Sequence, residues 1–194
     1  MRAFTFENAT KIYFGGGCVK EHLLEAVKPY GETVMLAYGG GSIKTNGIYQ
    51  EVMDVLKLAG KQVIEFSGIM PNPTYSKVME GKKVLQENQV DLILAVGGGS
   101  VMDCSKAISM AAATDKDVWE EYWIKKGEID FEPVPVGVIV TVVGTGSEVN
   151  GEGVITHEEQ KIKTSRNYPR CNPVFAMMDP KYTYTVSPLQ TAAG

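Results

Sequence analysis

Four short apolar runs stand out along the chain: Thr33–Tyr38 (TVMLAY), Gln62–Phe66 (QVIEF), Asp91–Val96 (DLILAV) and Val136–Val143 (VGVIVTVV). Each is bounded by turn residues and is near-continuously apolar, the pattern of strands in a parallel sheet covered on both faces. Between the runs, apolar positions recur at helical spacing. Ile48, Val52, Val55, Leu56 and Ala59 form one stripe that Gly60 would terminate, and Val101, Cys104, Ile108, Ala111 and Ala112 form another. A weaker helix is expected from Tyr75 to Asn88, with Val78 and Leu85 inward. Strand and helix in alternation predict an α/β fold, an open and mostly parallel sheet with helices on both faces.

The ends of the chain read differently. Phe4–Phe14, with Asn8-Ala9-Thr10 at its middle, suggests a strand pair entering the sheet. Beyond Val143, Gly144-Thr145-Gly146-Ser147-Glu148 reads as a loop. Gly153–His157 and Lys161–Arg166 then flank the polar turn Glu158-Glu159-Gln160 as a β-hairpin. A last apolar run, Val174–Met178, stops at Asp179-Pro180, since proline is excluded from ordinary strand and helix interiors.

Composition narrows the function classes. The chain has 194 residues, 44% hydrophobic and 22% charged, enough to close a core without disulfide or metal staples. A net charge of −4 with scattered basic residues argues against nucleic acid as the principal partner. Cys18, Cys104 and Cys171 are isolated, with no C-x-x-C, so neither a zinc knuckle nor a secreted disulfide framework is suggested. The N-terminal sequence has no apolar signal core, and no run approaches a membrane span, so a cytoplasmic protein with no membrane partner is expected.

The strongest chemical signal is Ala95-Val96-Gly97-Gly98-Gly99-Ser100-Val101-Met102-Asp103. A buried strand ends, three glycines follow and a helix begins. Glycine permits close approach of a ligand and positive φ, and Ser100 to Asp103 matches the S-x-x-D form of a capping box. The helix start presents unpaired N–H groups and the positive end of its dipole to an anion such as phosphate. The alternative is a capped turn that holds nothing. A second loop, Tyr38-Gly39-Gly40-Gly41-Ser42, has the same strand-to-helix setting, with Thr45 or Asn46 as candidate cap. Neither loop is a G-x-G-x-x-G fingerprint or a P-loop, but two such loops suit the two ends of a dinucleotide. The Tyr38–Ser42 loop, first along the chain, carries no acid at its tip and has Lys44 nearby, which favours NADP over NAD.

These loops, with Gly68-Ile69-Met70-Pro71-Asn72-Pro73, Val143–Asn150 (VGTGSEVN) and Asp179–Thr185 (DPKYTYT), resemble the iron-type, group III alcohol dehydrogenases. The resemblance runs along essentially the whole chain and is greatest to the butanol dehydrogenase-like and NADPH-dependent aldehyde reductase-like branch. It implies a Rossmann-like domain in which Gly39, Gly40 and Ser42 face the adenosine ribose and its 2′-phosphate. Gly98, Gly99 and Ser100 would cradle the pyrophosphate with Asp103 beside it, and Thr141 and Thr145 would line the adenine and phosphate region. Asn72 would contact the cofactor near its ribose, Asn150 and Lys163 would reach the nicotinamide-side ribose, and Tyr182 and Thr185 would close the adenine side. Val142 stands where relatives often carry a second threonine. Read alone, Asn72 is a turn residue, Asp103 a cap, Lys163 a solvated hairpin lysine, and Thr145 and Ser147 partners of their own turn.

The resemblance further implies hydride transfer between NADP(H) and an alcohol or aldehyde, assisted by Fe²⁺ or Zn²⁺ as Lewis acid, in a homodimer paired through N-terminal strands that include Phe4 and Phe6. The metal ligands of that family, an Asp and three His, lie in a helical C-terminal domain. Here 1–185 is expected to be the dinucleotide domain and 186–194 the start of the helical one, with the ligand Asp falling just past Gly194. His22 and His157 read as surface residues and Asp179 as a loop acid, so the 194 residues by themselves are expected to bind cofactor without catalysing. Rival readings are a glycerol dehydrogenase- or dehydroquinate synthase-like relative and a stand-alone nucleotide-binding module.

Overall fold

The computed structural model describes residues 8–193, so the dimer contacts expected at Phe4 and Phe6 lie outside the described residues. Among the described residues eight strands are present: β1 (Lys11–Phe14), β2 (Thr33–Tyr38), β3 (Gln62–Phe66), β4 (Leu92–Gly97), β5 (Val136–Val140), β6 (Glu152–His157), β7 (Ile162–Asn167) and β8 (Phe175–Met178). Six form a sheet in the order β1-β8-β5-β4-β2-β3, and every pairing in it is parallel. β6 and β7 form a separate antiparallel hairpin. The six helices are α1 (Cys18–Val27), α2 (Ser42–Thr45), α3 (Ile48–Leu58), α4 (Tyr75–Glu87), α5 (Gly99–Ala112) and α6 (Pro188–Ala193).

Side chains alternate across the sheet and build one core on each face. Met35, Ala37, Ile93, Ala95, Val138 and Ala176 meet α4 and α5 on one side. Leu36, Leu94, Val96, Ile139 and Met177 meet α1 and α3 on the other. The stripe expected on α3 is the one used: Ile48, Val52 and Leu56 are buried, each stabilising the fold by roughly 1.5–3 kcal/mol. Gly60 follows at φ 70, in the left-handed conformation that ends the helix. α5 differs from the expected single stripe, for Val101 to Ala111 are buried on every side. The hairpin lies over its outer face, so the helix is sandwiched between two layers of strand.

Two expectations need correction. The strand expected over Val136–Val143 stops at Val140; Thr141 N–H still reaches Gly97 O at 3.0 Å, but Val142 and Val143 turn outward. Of the strand pair expected over 4–14, the described part holds β1, whose partner is β8 from the far end of the chain, and the rest lies outside the described residues. His157 is a half-buried ring packed between Tyr75 and Trp119, with centroids 5.1 and 5.0 Å away, rather than a surface residue. α1 and a π-helical turn at Trp119–Ile124 complete the layers.

Asp179 also exceeds its reading as a loop acid. Buried at the end of β8, it accepts Gly17 N–H at 2.7 Å and Lys181 N–H at 2.9 Å, tying the start of α1 to the end of the sheet. All three cysteines are free and buried. No helix among the described residues is long and apolar enough to cross a membrane.

Gly137 of β5 pairs with Phe175 of β8, and an added Cβ there would stand 2.2 Å from the Phe175 ring. Gly137→Ala therefore overpacks the core, and urea unfolding should show it less stable by about 1–3 kcal/mol. Unchanged stability would mean that Phe175 turns away at no cost.

Candidate functional site

The strand order reverses direction between β2 and β4. From β2 the chain steps outward to β3, then returns to β4 on the other side of β2 and continues through β5 to β8. Crevices at such a reversal, beyond the carboxyl ends of the strands, are where open α/β sheets bind ligands. Both glycine loops leave the sheet here, because Tyr38, the last residue of β2, lies opposite Val96 of β4.

Around the first loop, Tyr38, Gly39, Gly40, Gly41, Lys44, Ser67 and Gly68 line a hollow of about 290 Å³. Gly41 (φ 97) starts α2, a single helical turn absent from the sequence reading. The cap of α3 is Gly47 rather than Thr45 or Asn46; Asn46 Oδ1, one residue earlier, accepts Ile48 N–H at 3.2 Å, and Thr45 Oγ1 turns back to Ser42 O. Ser42 is exposed at the start of α2. Lys44 Nζ donates to Glu65 Oε2 at 3.0 Å, Tyr38 OH to the same oxygen at 2.5 Å, and Tyr49 OH to Oε1 at 2.6 Å. Tyr38, then Tyr49 and Lys44, hold the Glu65 carboxyl down at about 2, so it is charged at every working pH. Tyr38, then Glu65, push the Lys44 ammonium up. The sequence places no acid at the tip of this loop, yet β3 brings one behind Lys44.

The second loop departs from its expected geometry. Gly98 starts α5, no side chain caps it, and the Ser100–Asp103 capping box does not form. None of Gly97, Gly98 and Gly99 has positive φ; these positions are small because of what touches them. An added Cβ would stand 2.5 Å from the Val101 side chain at Gly97, 3.1 Å from Val142 at Gly98 and 2.6 Å from Thr145 at Gly99. Gly98, Gly99 and Ser100 remain partly exposed at the helix start, whose first N–H groups lack intrahelical partners. Thr141 and Thr145 flank this opening, and Thr145 Oγ1 also accepts Ser147 N–H at 3.3 Å.

Asp103 faces inward instead. It accepts Ser147 Oγ at 2.6 Å and Val154 N–H at 3.1 Å, and burial raises its pKa. One turn on, Lys106 is 2% exposed, and sequence reasoning missed it. Its Nζ donates to Ser147 O and Asn150 O, both at 2.9 Å, and lies 4.0 Å from Asp103 Oδ1. Burial pulls the ammonium down to about 8. A lysine within the apolar run VMDCSKAISMAAA was the available signal. Asn150 Oδ1 is likewise used internally, accepting Glu152 N–H at 2.9 Å.

Asn72 and Lys163 come together, although 91 residues separate them in sequence. Lys163 Nζ on β7 donates to Asn72 Oδ1 at 2.5 Å, with Asn72 in the left-handed region at φ 55. The loop carrying Asn72 is tied to the first glycine loop by Gly68 N–H to Gly39 O at 3.0 Å and to the hairpin by Thr156 N–H to Pro73 O at 3.0 Å. Tyr182 and Thr185 are not brought to the hollow around Gly39–Gly41. Tyr182 is buried on the α1 and α3 side, its hydroxyl donating to Glu51 at 2.8 Å, and Thr185 is exposed beyond it. Among the described residues no three His, Cys, Asp or Glu are grouped to hold a metal ion, so these residues do not fit a metal centre.

An all-parallel α/β domain with its glycine loops at the sheet reversal has the architecture of nucleotide-binding domains. Residues 9–180 match the iron-containing alcohol dehydrogenase family, and the chain belongs to that family. It is 44% identical, over its full length and 49% of the relative's, to a probable NADH-dependent butanol dehydrogenase of Bacillus subtilis. It is 38% identical, over its full length and again 49% of the relative's, to an NADPH-dependent aldehyde reductase of Escherichia coli. The crystal structure of an NADH-dependent butanol dehydrogenase A from Thermotoga maritima superposes with a TM-score of 0.91 at 38% identity, across 98% of this chain and 48% of that one. The chain thus spans about half the length of these relatives.

If the Glu65 cluster forms in solution, a carbon-detected carboxyl titration will place the Glu65 midpoint at about 2. Removing one donor, in Tyr49→Phe, will raise it. A wild-type midpoint near the unperturbed value of about 4.3 would show the cluster to be absent.

Proposed function

We propose that this chain is the dinucleotide-binding part of an oxidoreductase that transfers hydride between NADP(H) and a small alcohol or aldehyde. The observation that carries this reading is the pair of glycine loops on adjacent strand ends at the sheet reversal, beside the uncapped start of α5, whose first N–H groups lack intrahelical partners. In this reading Gly98, Gly99 and Ser100 receive the pyrophosphate, with Thr141 and Thr145 beside it. Gly39, Gly40 and Ser42 receive the adenosine ribose. Asn72 and Lys163 serve the nicotinamide-side ribose. Asp103 and Asn150 act from behind, through the loop they hold. When bound, the nicotinamide supplies or accepts the hydride. The family's metal-assisted step requires ligands that the described residues do not group together, so no step is assigned to a metal here.

The relatives' names specify NADH in one case and NADPH in another, so the preference for NADP rests on the first hollow. Lys44 lines it and no carboxylate does, leaving a cation where a 2′-phosphate would sit. Glu65 stands behind Lys44 and tempers this preference by holding the ammonium. Three buried, free cysteines and the lack of a membrane-spanning helix among the described residues support a reducing, cytoplasmic setting.

Saturating NADPH should raise the melting temperature of the chain more than NADH does. Lys44→Met should weaken NADPH binding by about tenfold, the worth of one charge-assisted hydrogen bond, and leave NADH binding unchanged. Greater stabilisation of the wild type by NADH would overturn the preference for NADP. The 194-residue chain supplied with NADPH, butanal and Fe²⁺ or Zn²⁺ should show no turnover; sustained NADPH oxidation would refute the expectation that catalysis needs residues beyond it.

A further inference from the structure

Lys106 is a buried charge that the proposed reaction does not use. An ammonium placed between a sheet and a hairpin is costly to desolvate, and methionine would fill similar volume without that cost. What the ammonium does is grip a loop. Its Nζ has three acceptors on that loop, Ser147 O at 2.9 Å, Asn150 O at 2.9 Å and Asn150 Oδ1 at 3.4 Å. An ammonium offers one proton to each. Asp103, one helical turn earlier, adds the bond to Ser147 Oγ at 2.6 Å. The gripped loop includes two left-handed glycines, Gly144 (φ 122) and Gly146 (φ 69), and Asn8 Nδ2 also donates to its Val149 O at 3.0 Å. Between those glycines sits Thr145, whose methyl would be 2.6 Å from a Cβ at Gly99. The loop therefore lies directly on the first residue of α5.

We propose that Lys106 is a positioning residue for the dinucleotide cradle: by gripping the Ser147 and Asn150 carbonyls it seats Thr145 against the start of α5, and so sets affinity for the pyrophosphate without touching it. The inference rests on the dinucleotide reading given above. Its second consequence is a pH dependence. The groups facing the ammonium are Asp103 on α5, Glu152 on β6, Glu148 on the loop and Cys171 in the 3-10 turn Pro169–Cys171, while Arg166 of β7 and Tyr168 after it line the same small cavity. Burial outweighs these partners, so the proton is lost as pH rises through about 8. The amine that remains has two N–H groups for three acceptors, and the loop loosens.

The test compares NADPH with adenosine 2′-phosphate, which would engage the first hollow but not the α5 start. Lys106→Met should weaken NADPH binding by about tenfold, leave adenosine 2′-phosphate binding unchanged, and speed amide exchange of the 146–150 loop in the free protein. Should that variant fail to fold, the wild type carries the test. Its NADPH affinity should fall several-fold between pH of about 7 and about 9 while adenosine 2′-phosphate affinity stays level. Wild-type NADPH affinity in a folded Lys106→Met, equal loss of both ligands, or a flat wild-type pH profile would each overturn the proposal. A wild-type chain that binds adenosine 2′-phosphate but not NADPH would also overturn it. Binding of neither ligand would remove the dinucleotide reading itself.

Discussion

The parallel pairing of β2 with β4 is the constraint on which the rest of this structure depends. These strands are separated in sequence by α2, α3, β3 and α4, and their register puts Tyr38 beside Val96, so two glycine loops distant in the chain emerge side by side. Parallel pairing cannot be reached by a tight hairpin; it requires crossover helices that cover the faces of the sheet. With α4 and α5 on one face and α1 and α3 on the other, the central strands β2, β4 and β5 are buried along nearly their whole length and open at their ends. The site lies where two of those ends carry glycine loops and a helix start that presents backbone N–H groups.

The glycines at those ends serve two different physical ends. Gly41 is left-handed, and a side chain there would strain the backbone. Gly97, Gly98 and Gly99 adopt ordinary dihedrals and are small because Val101, Val142 and Thr145 occupy the space a Cβ would need. Their closeness lets one loop lie on another. This turns the 144–150 segment from a connection into a wall of the crevice, and it explains why charged side chains on α5 are buried beneath it.

Much of the fold was legible because its strands are uniformly apolar and its helices striped. TVMLAY and the α3 stripe fall within a residue of their observed elements. What escaped was whatever depends on partners far away in sequence. The β1 to β8 pairing joins the two ends of the chain, and no local pattern announces it. Glu65 looked like an ordinary strand residue, since the tyrosines and lysine that surround it come from β2, α2 and α3. Asp103 read as a helix cap because the S-x-x-D spacing is local, while its true partners, Ser147 and Val154, lie beyond the loop. The glycine loops of the candidate site could be read from sequence; the side chains supporting them could not.

The three thiols show another result of the same layering. Cys104 and Cys171 are each held up to about 12 by burial, so at neutral pH they are almost wholly protonated and sealed from oxidants. A thiol must ionise and be reached before it reacts. Reaction of Cys104 or Cys171 therefore requires that the packing over them open first. The same two atoms make a built-in clock: the rate at which an alkylating reagent consumes them measures the opening of the layer.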